Sequence, residues 1–201
     1  MIFLGSKKDL EIAEKAIEIM KVTTNFPEFQ ENWENYLFRI ERAWELTERK
    51  LRNKKGFQQW HDPYTKLRKK DSLLVFLKQA RNSEMHSVSP TVSKPLKMLV
   101  HEKTGRGFQL GSISSKLENG TLTINLDSPD ILLDMGAKLI PTNPEVIRFK
   151  NRGKWYNPPW EHLKIRIEDV HPVTLAMLGL DFYKTYINEA EGWLTETQHA
   201  I

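Results

Sequence analysis

The chain of 201 residues has no cysteine, which excludes disulfides and thiolate metal sites in any compartment. No window approaches about 18 uninterrupted apolar residues, so no membrane span is expected. The apolar run in MIFLGSKKDLEIAEK is too short for a signal peptide. Six histidines are present, yet none falls in H-x-x-x-H or H-E-x-x-H spacing, and no metal site or cofactor is expected. The phosphate loop G-x-x-x-x-G-K-[ST] and the nucleophile elbow G-x-S-x-G are also missing. TGRGFQLG carries glycines at turn spacing without a following helix, and Ser112, Ser114 and Ser115 lie in a strand-like alternation. These absences leave a soluble, cytoplasmic protein as the expectation.

What is there is ordinary in total and uneven in distribution. Hydrophobic residues make up 39% and charged residues 28%, and a chain of this size buries roughly 70% of its unfolded surface. Residues 1–100 hold 19 Lys and Arg against 13 Asp and Glu, whereas residues 101–201 hold 11 against 13. From Arg49 to Arg81 there are eleven basic residues and two acidic ones, Asp62 and Asp71. Such a stretch suits a polyanion partner, and it equally suits a solvated Lys-rich connector.

Periodicity organises the chain. Ser6 and Asp9 form a variant capping box before the stripe Leu10, Ala13, Ile17 and Met20, which predicts a first helix. A second begins near Pro27 and carries Trp33, Tyr36, Leu37, Ile40, Trp44 and Leu51. NKKGFQQWHDPYTKLRKK contains Gly56 and Pro63 and no sustained period, so a loop or broken helix is expected there. Asp71 or Ser72 caps a third helix that is apolar over LLVFL and polar over KQARNSEMHS before Pro90. From Leu96 onward, alternating runs separated by Gly-containing turns predict strands. WYNPPW (155–160) is irregular, with packing favoured over base stacking, and a last helix starts at Pro172. The reading is mainly α: a single domain over 1–201, a four-helix bundle with a small antiparallel β-rich insertion over 96–168 between its third and fourth helices.

The chemistry-bearing string is RNSEMH, with Arg81, Asn82 and His86 at the polar end of the third helix. Cleavage of RNA by its own 2′-hydroxyl needs a group that moves a proton and one that stabilises charge on phosphorus. Neutral histidine accepts the hydroxyl proton, its protonated form supplies one to the leaving oxygen, and arginine holds two phosphate oxygens as a planar fork. A bare Arg–His spacing of this kind arises about once by chance in such a chain, and Arg166 and His171 form a second match in RIEDVH. Context separates RNSEMH: an Asn directly after Arg, the end of an apolar helix, and the basic stretch upstream. On an α-helix Asn82 and His86 share a face, but Arg81 and His86 diverge by about 140°. The alternative is structural, with Arg81 paired to Glu84 and His86 resting at a helix C-terminus.

LKQARNSEMHS resembles the R-N-x-x-x-H form of the HEPN superfamily of ribonucleases, and the order of helices over roughly 6–90 and 170–198 is similar to theirs. The resemblance implies a helical bundle and a metal-independent endoribonuclease working as a homodimer, its two motifs facing one cleft. Many members act as toxins or antiviral defence effectors, with an antitoxin or regulatory protein as partner. It assigns Arg81 to the scissile phosphate, Asn82 to orientation of the site and His86 to general acid–base work. Lys66, Arg68, Lys69, Lys70 and Lys78 are the expected RNA-binding residues. Members paired with a nucleotidyltransferase antitoxin carry a Tyr two residues after His, where this chain has Val88. The alternative function is a non-catalytic HEPN-like module binding RNA or a protein partner.

Overall fold

In a computed structural model the described backbone covers residues 3–86, 90–102, 113–118, 121–126 and 135–199, and the described side chains cover 3–84, 90–95 and 142–197. Five helices carry most of it: α1 (Leu4–Val22), α2 (Phe26–Leu51), α3 (Phe57–Lys70), α4 (Ser72–His86) and α5 (Pro172–His199). Among the described residues ten short strands form five antiparallel pairs. The protein is mainly helical with small antiparallel strand pairs.

α1 and α2 are joined by three residues and pack along their length. α1 starts two residues before Ser6, and Ser6 does not cap it. Ser6 instead accepts a hydrogen bond from Thr47 at 2.8 Å, and Asp9 pairs with Arg39 at 2.9 Å and Arg42 at 3.2 Å. Partners fall in number along α2 as they rise along α1, which fixes an antiparallel register. A capping pattern in the sequence thus serves as an interhelical contact.

The segment expected as a loop or broken helix is the helix α3, with Pro63 inside it. Gly56, at φ +82°, turns the chain into it. Its buried stripe is Phe57, His61 and Arg68, with Trp60 and Tyr64 packed against the core. This stripe keeps helical spacing but includes a His and an Arg, so an apolar count does not register it.

Asp71 caps α4 as expected, accepting the Leu74 N–H at 3.0 Å. α4 is then buried at Leu73, Leu74, Phe76, Leu77 and Ala80. α5 crosses it with Gly179 at the contact, where a Cβ would stand 2.4 Å from the Tyr36 hydroxyl and 2.5 Å from Leu77 Cδ1. Only the missing side chain lets α2, α4 and α5 approach this closely.

The β-rich segment divides. Residues 95–143 form a separate compact unit, in which β2 (Leu96–Glu102) pairs with β5 (Met135–Pro141) and β3 (Ile113–Glu118) with β4 (Thr121–Leu126). The remaining pairs belong to the helical unit, residues 1–94 and 144–201. They are β1 (Val92–Ser93) with β6 (Glu145–Val146), β7 (Phe149–Asn151) with β8 (Lys154–Tyr156), and β9 (Glu161–His162) with β10 (Ile165–Arg166). Phe149 meets Phe76 at 5.4 Å, and Asn151 donates to Gln79 at 2.9 Å, so the β7–β8 hairpin lies on α4. In WYNPPW, Tyr156 packs on Phe149, whereas Trp155 and Trp160 are exposed.

Candidate functional site

The emergent end of α4 carries the sequence motif. Arg81 and Asn82 are half-buried neighbours, and Arg81 Nη1 donates to Asn82 Oδ1 at 3.2 Å. Arg81 Nε is enclosed without a partner. The ion pair between Arg81 and Glu84, one alternative in the sequence, does not form. Glu84 accepts instead from the Thr91 backbone N–H at 2.8 Å and from its hydroxyl at 2.7 Å. Thr91 in turn accepts from Trp33 Nε1 at 2.9 Å. Burial raises the Glu84 carboxyl above its usual range, and the two Thr91 bonds offset this only in part. Among the described residues no carboxylate pairs with Arg81. His86 closes α4, and its side chain lies outside the described residues.

The basic residues line two clefts, and one residue of the set is not at the surface. Lys66 and Lys70, one turn apart and both exposed, line a cleft of about 510 Å³ with Asp71, Glu161 and Lys164. Lys69 and Lys78 line a different cleft of about 370 Å³. Arg68 requires a correction. It is 6% exposed, forms a buried ion pair with Glu41, and lies 4.2 Å over the Trp44 ring. It is a core residue that no phosphate backbone reaches, because position 68 follows 57, 61 and 64 on the buried face of α3.

The 370 Å³ cleft was not legible as a site. From α2 it takes Glu41, Glu45 and Glu48, and from α3 it takes His61, Thr65 and Arg68, each set at i, i+4 and i+7. His61 is 4% exposed, packed between Phe57 at 4.6 Å and Trp44 at 4.9 Å. Its Nδ1 meets the Thr65 hydroxyl at 3.2 Å, and its Nε2 is buried with no partner. Burial lowers the His61 pKa, against the opposing pull of Glu48. Glu48 is held by Trp44 Nε1 at 3.2 Å. The repeated spacing was present in the sequence, but only a helix over 57–70 turns it into a face.

A third constellation fastens the fold. Asp71 meets His162 Nδ1 at 3.0 Å and accepts the Leu163 N–H at 2.7 Å while capping α4. Leu163 and Lys164, at φ +49° and +68°, make the two-residue turn between β9 and β10. Burial pushes the Asp71 carboxyl up, but the bonds from His162, Leu163 and Leu74 outweigh it and hold it below the usual range.

Among the described residues no group of three or more His, Asp or Glu stands ready to hold a metal ion, and no helix is long and apolar enough to cross a membrane. Fold and site together define a mainly helical protein with an arginine, unpaired to any carboxylate among the described residues, at the end of a buried helix. No protein-family model, curated protein or solved structure matches the chain.

Proposed function

We propose that the chain is a metal-independent endoribonuclease of HEPN type, cleaving RNA by attack of the 2′-hydroxyl on the adjacent phosphorus. The observation that carries this reading is the state of Arg81. Its guanidinium is oriented by Asn82, has no carboxylate partner among the described residues, and stands where the buried helix emerges. A fixed, uncompensated planar cation is a receptor for two phosphate oxygens and stabilises the charge that grows on them in the transition state. Asn82 keeps the fork in place. His86, on the last turn of the same helix, takes the hydroxyl proton in one half-site and supplies a proton to the leaving oxygen in the other.

Arg81 and His86 diverge by about 140° around a helix, so a homodimer that sets two α4 ends across one cleft completes the site. Lys66, Lys69, Lys70 and Lys78 supply phosphate contacts. A role as a toxin or defence effector in the cytoplasm, restrained by an antitoxin or regulatory protein, belongs to the same reading. The test is incubation of mixed RNA with wild type and His86→Ala in EDTA, with the product ends mapped. Cleavage by wild type alone, leaving 2′,3′-cyclic phosphate and 5′-hydroxyl ends, is expected. RNA bound but uncut by both would move the protein to the second reading, a non-catalytic binding module, which the exposed lysines of α3 favour equally.

A further inference from the structure

We propose that the outward face of the β7–β8 hairpin is a platform for single-stranded RNA, with Trp155 stacking a base and the cations around it holding the phosphates. The choice of RNA rests on the ribonuclease reading, and the platform rests on the hairpin itself.

Strand alternation separates the two faces of the hairpin. Phe149 stands opposite Tyr156, and Lys150 opposite Trp155. Phe149, Asn151 and Tyr156 share the inward face: Phe149 meets Phe76, Tyr156 stacks on Phe149 at 5.6 Å, and Asn151 donates to Gln79. Lys150 and Trp155 therefore point outward. Arg148, two residues before Lys150, joins them with its guanidinium 4.1 Å over the Trp155 ring. Trp155 is nonetheless 51% exposed, where packing was the expectation for this segment.

The turn adds a further cation. Arg152 and Gly153, at φ +48° and +82°, make the two-residue connection between the strands, a form that ordinarily takes Asn, Asp or Gly at its first position. Here a long basic side chain stands exposed at the tip instead. Arg148, Lys150, Arg152 and Lys154 are all exposed. Among the described residues none of the four has a carboxylate within ion-pair distance.

An exposed indole surrounded by cations without counter-charges selects a ligand that combines negative charge with flat rings. Single-stranded nucleic acid does so, because every base has a π-face to lay on an aromatic ring and every linkage carries a phosphate. Arg148 extends the surface, since bases also stack on a guanidinium plane. An acidic peptide would satisfy the cations and leave the indole exposed, and a duplex keeps its bases stacked on one another.

The hairpin also leads to the motif. Phe149 meets Phe76 and Asn151 meets Gln79, so β7 advances along α4 in the direction of its C-terminal end and carries the Arg152 tip with it. Asn82, which orients Arg81, follows Gln79 by three positions on the same side of the helix. A strand lying across Trp155 and Arg152 therefore runs towards the Arg81 fork.

The test is titration of the full chain, in EDTA, with a labelled single-stranded 2′-O-methyl oligoribonucleotide, which has no 2′-hydroxyl to attack and so reports binding alone. Trp155→Ala is expected to weaken binding at least about fivefold, the lower end of what one base–aromatic stack contributes, with Trp155→Phe falling between it and the wild type. Trp160→Ala, a control indole that is 66% exposed outside the hairpin, should leave the affinity unchanged. Lys150→Ala should lower the salt dependence of binding by about one counterion. The same oligomer annealed into a duplex, and poly-glutamate, should bind more weakly and without dependence on Trp155. A second readout does not depend on how well Trp155→Ala folds: the oligomer should quench tryptophan emission in the wild type and in Trp160→Phe, and clearly less in Trp155→Phe. Affinity unchanged by Trp155→Ala, quenching unchanged by Trp155→Phe, or poly-glutamate bound as tightly as the single strand would overturn the platform. Binding that depends on Trp155 with no cleavage of ordinary RNA leaves this inference standing and removes the nuclease, and cleavage with binding indifferent to Trp155 does the reverse.

Discussion

Two arginines thirteen positions apart set the core of this protein against its candidate site. Arg68 is buried, bonded to Glu41 and stacked over Trp44, whereas Arg81 is half-buried, donates to the side-chain oxygen of Asn82 and meets no carboxylate among the described residues. Both keep an enclosed Nε without a partner. What differs is neutralisation. A cation whose counter-charge is built into the fold serves packing, and one with no counter-charge among the described residues is the better candidate to take an anion from outside.

The largest expected effect breaks the first half of that contrast. Arg68→Ala leaves Glu41 as a buried, uncompensated carboxylate and should cost about 3–5 kcal/mol of stability in urea denaturation. Arg81→Ala should cost less than about 1 kcal/mol in the same measurement, because no ion pair is lost. Similar losses at both positions would erase the distinction.

Glycines of α5 sharpen the comparison between committed and open positions. Gly179→Ala drives a methyl group into the Tyr36 hydroxyl and Leu77, and overpacking of this kind should cost about 1–3 kcal/mol despite the better helix propensity of alanine. Gly192 has nothing within 4 Å of an added Cβ, so Gly192→Ala should stabilise by up to about 1 kcal/mol. Thermal melts of the two variants should move in opposite directions.

Asp71 extends the same idea to pH. Its carboxyl is lower in the folded chain than in the unfolded one, so its contribution is present above the ordinary carboxylate pKa near 4 and is lost as pH falls through the lower folded value. Glu84 has the opposite sign. Its raised pKa favours the protonated folded form, a contribution present below its unfolded pKa and lost as pH rises through the folded one. Asp71→Ala removes the cap of α4 and the anchor of the β9–β10 turn, an expected loss of about 1–2 kcal/mol at pH 7 that shrinks in acid. A loss that stays constant down to pH 2 would contradict this assignment.

The smallest effects belong to the exposed lysines. Replacing Lys66, Lys69 or Lys70 singly by Ala should leave stability unchanged and lower the salt dependence of RNA binding by about one counterion each. An unchanged salt slope for all three would place the RNA elsewhere.

Helices with apolar stripes were legible because burial and periodicity agree in them: α1, α2 and α4 lie where Leu10, Trp33 and the run LLVFL place them, and α5 begins at Pro172 as expected. α3 was not, because its buried face uses His61 and Arg68 beside Phe57, and Pro63 interrupts the pattern. The same omission hid the α2–α3 cleft, whose two walls become faces only when both segments are helical. It also misassigned Arg68, since a count of basic residues cannot tell a paired guanidinium from a free one. The sequence placed Arg81 and Asn82 together at the end of α4 but did not show the hydrogen bond between them. Nor was the withdrawal of Glu84 to Thr91 legible, because periodicity does not express a contact between α4 and the residue before β1. His86 and Val88 lie outside the described side chains.

The most direct test of the central claim is RNA cleavage in EDTA by Arg81→Ala, measured beside its melting temperature. The expected result is a rate lower by about a hundredfold or more with the melting temperature of the wild type. Cleavage at the wild-type rate, or a collapse of stability like that expected for Arg68→Ala, would show that Arg81 belongs to the core and not to the chemistry.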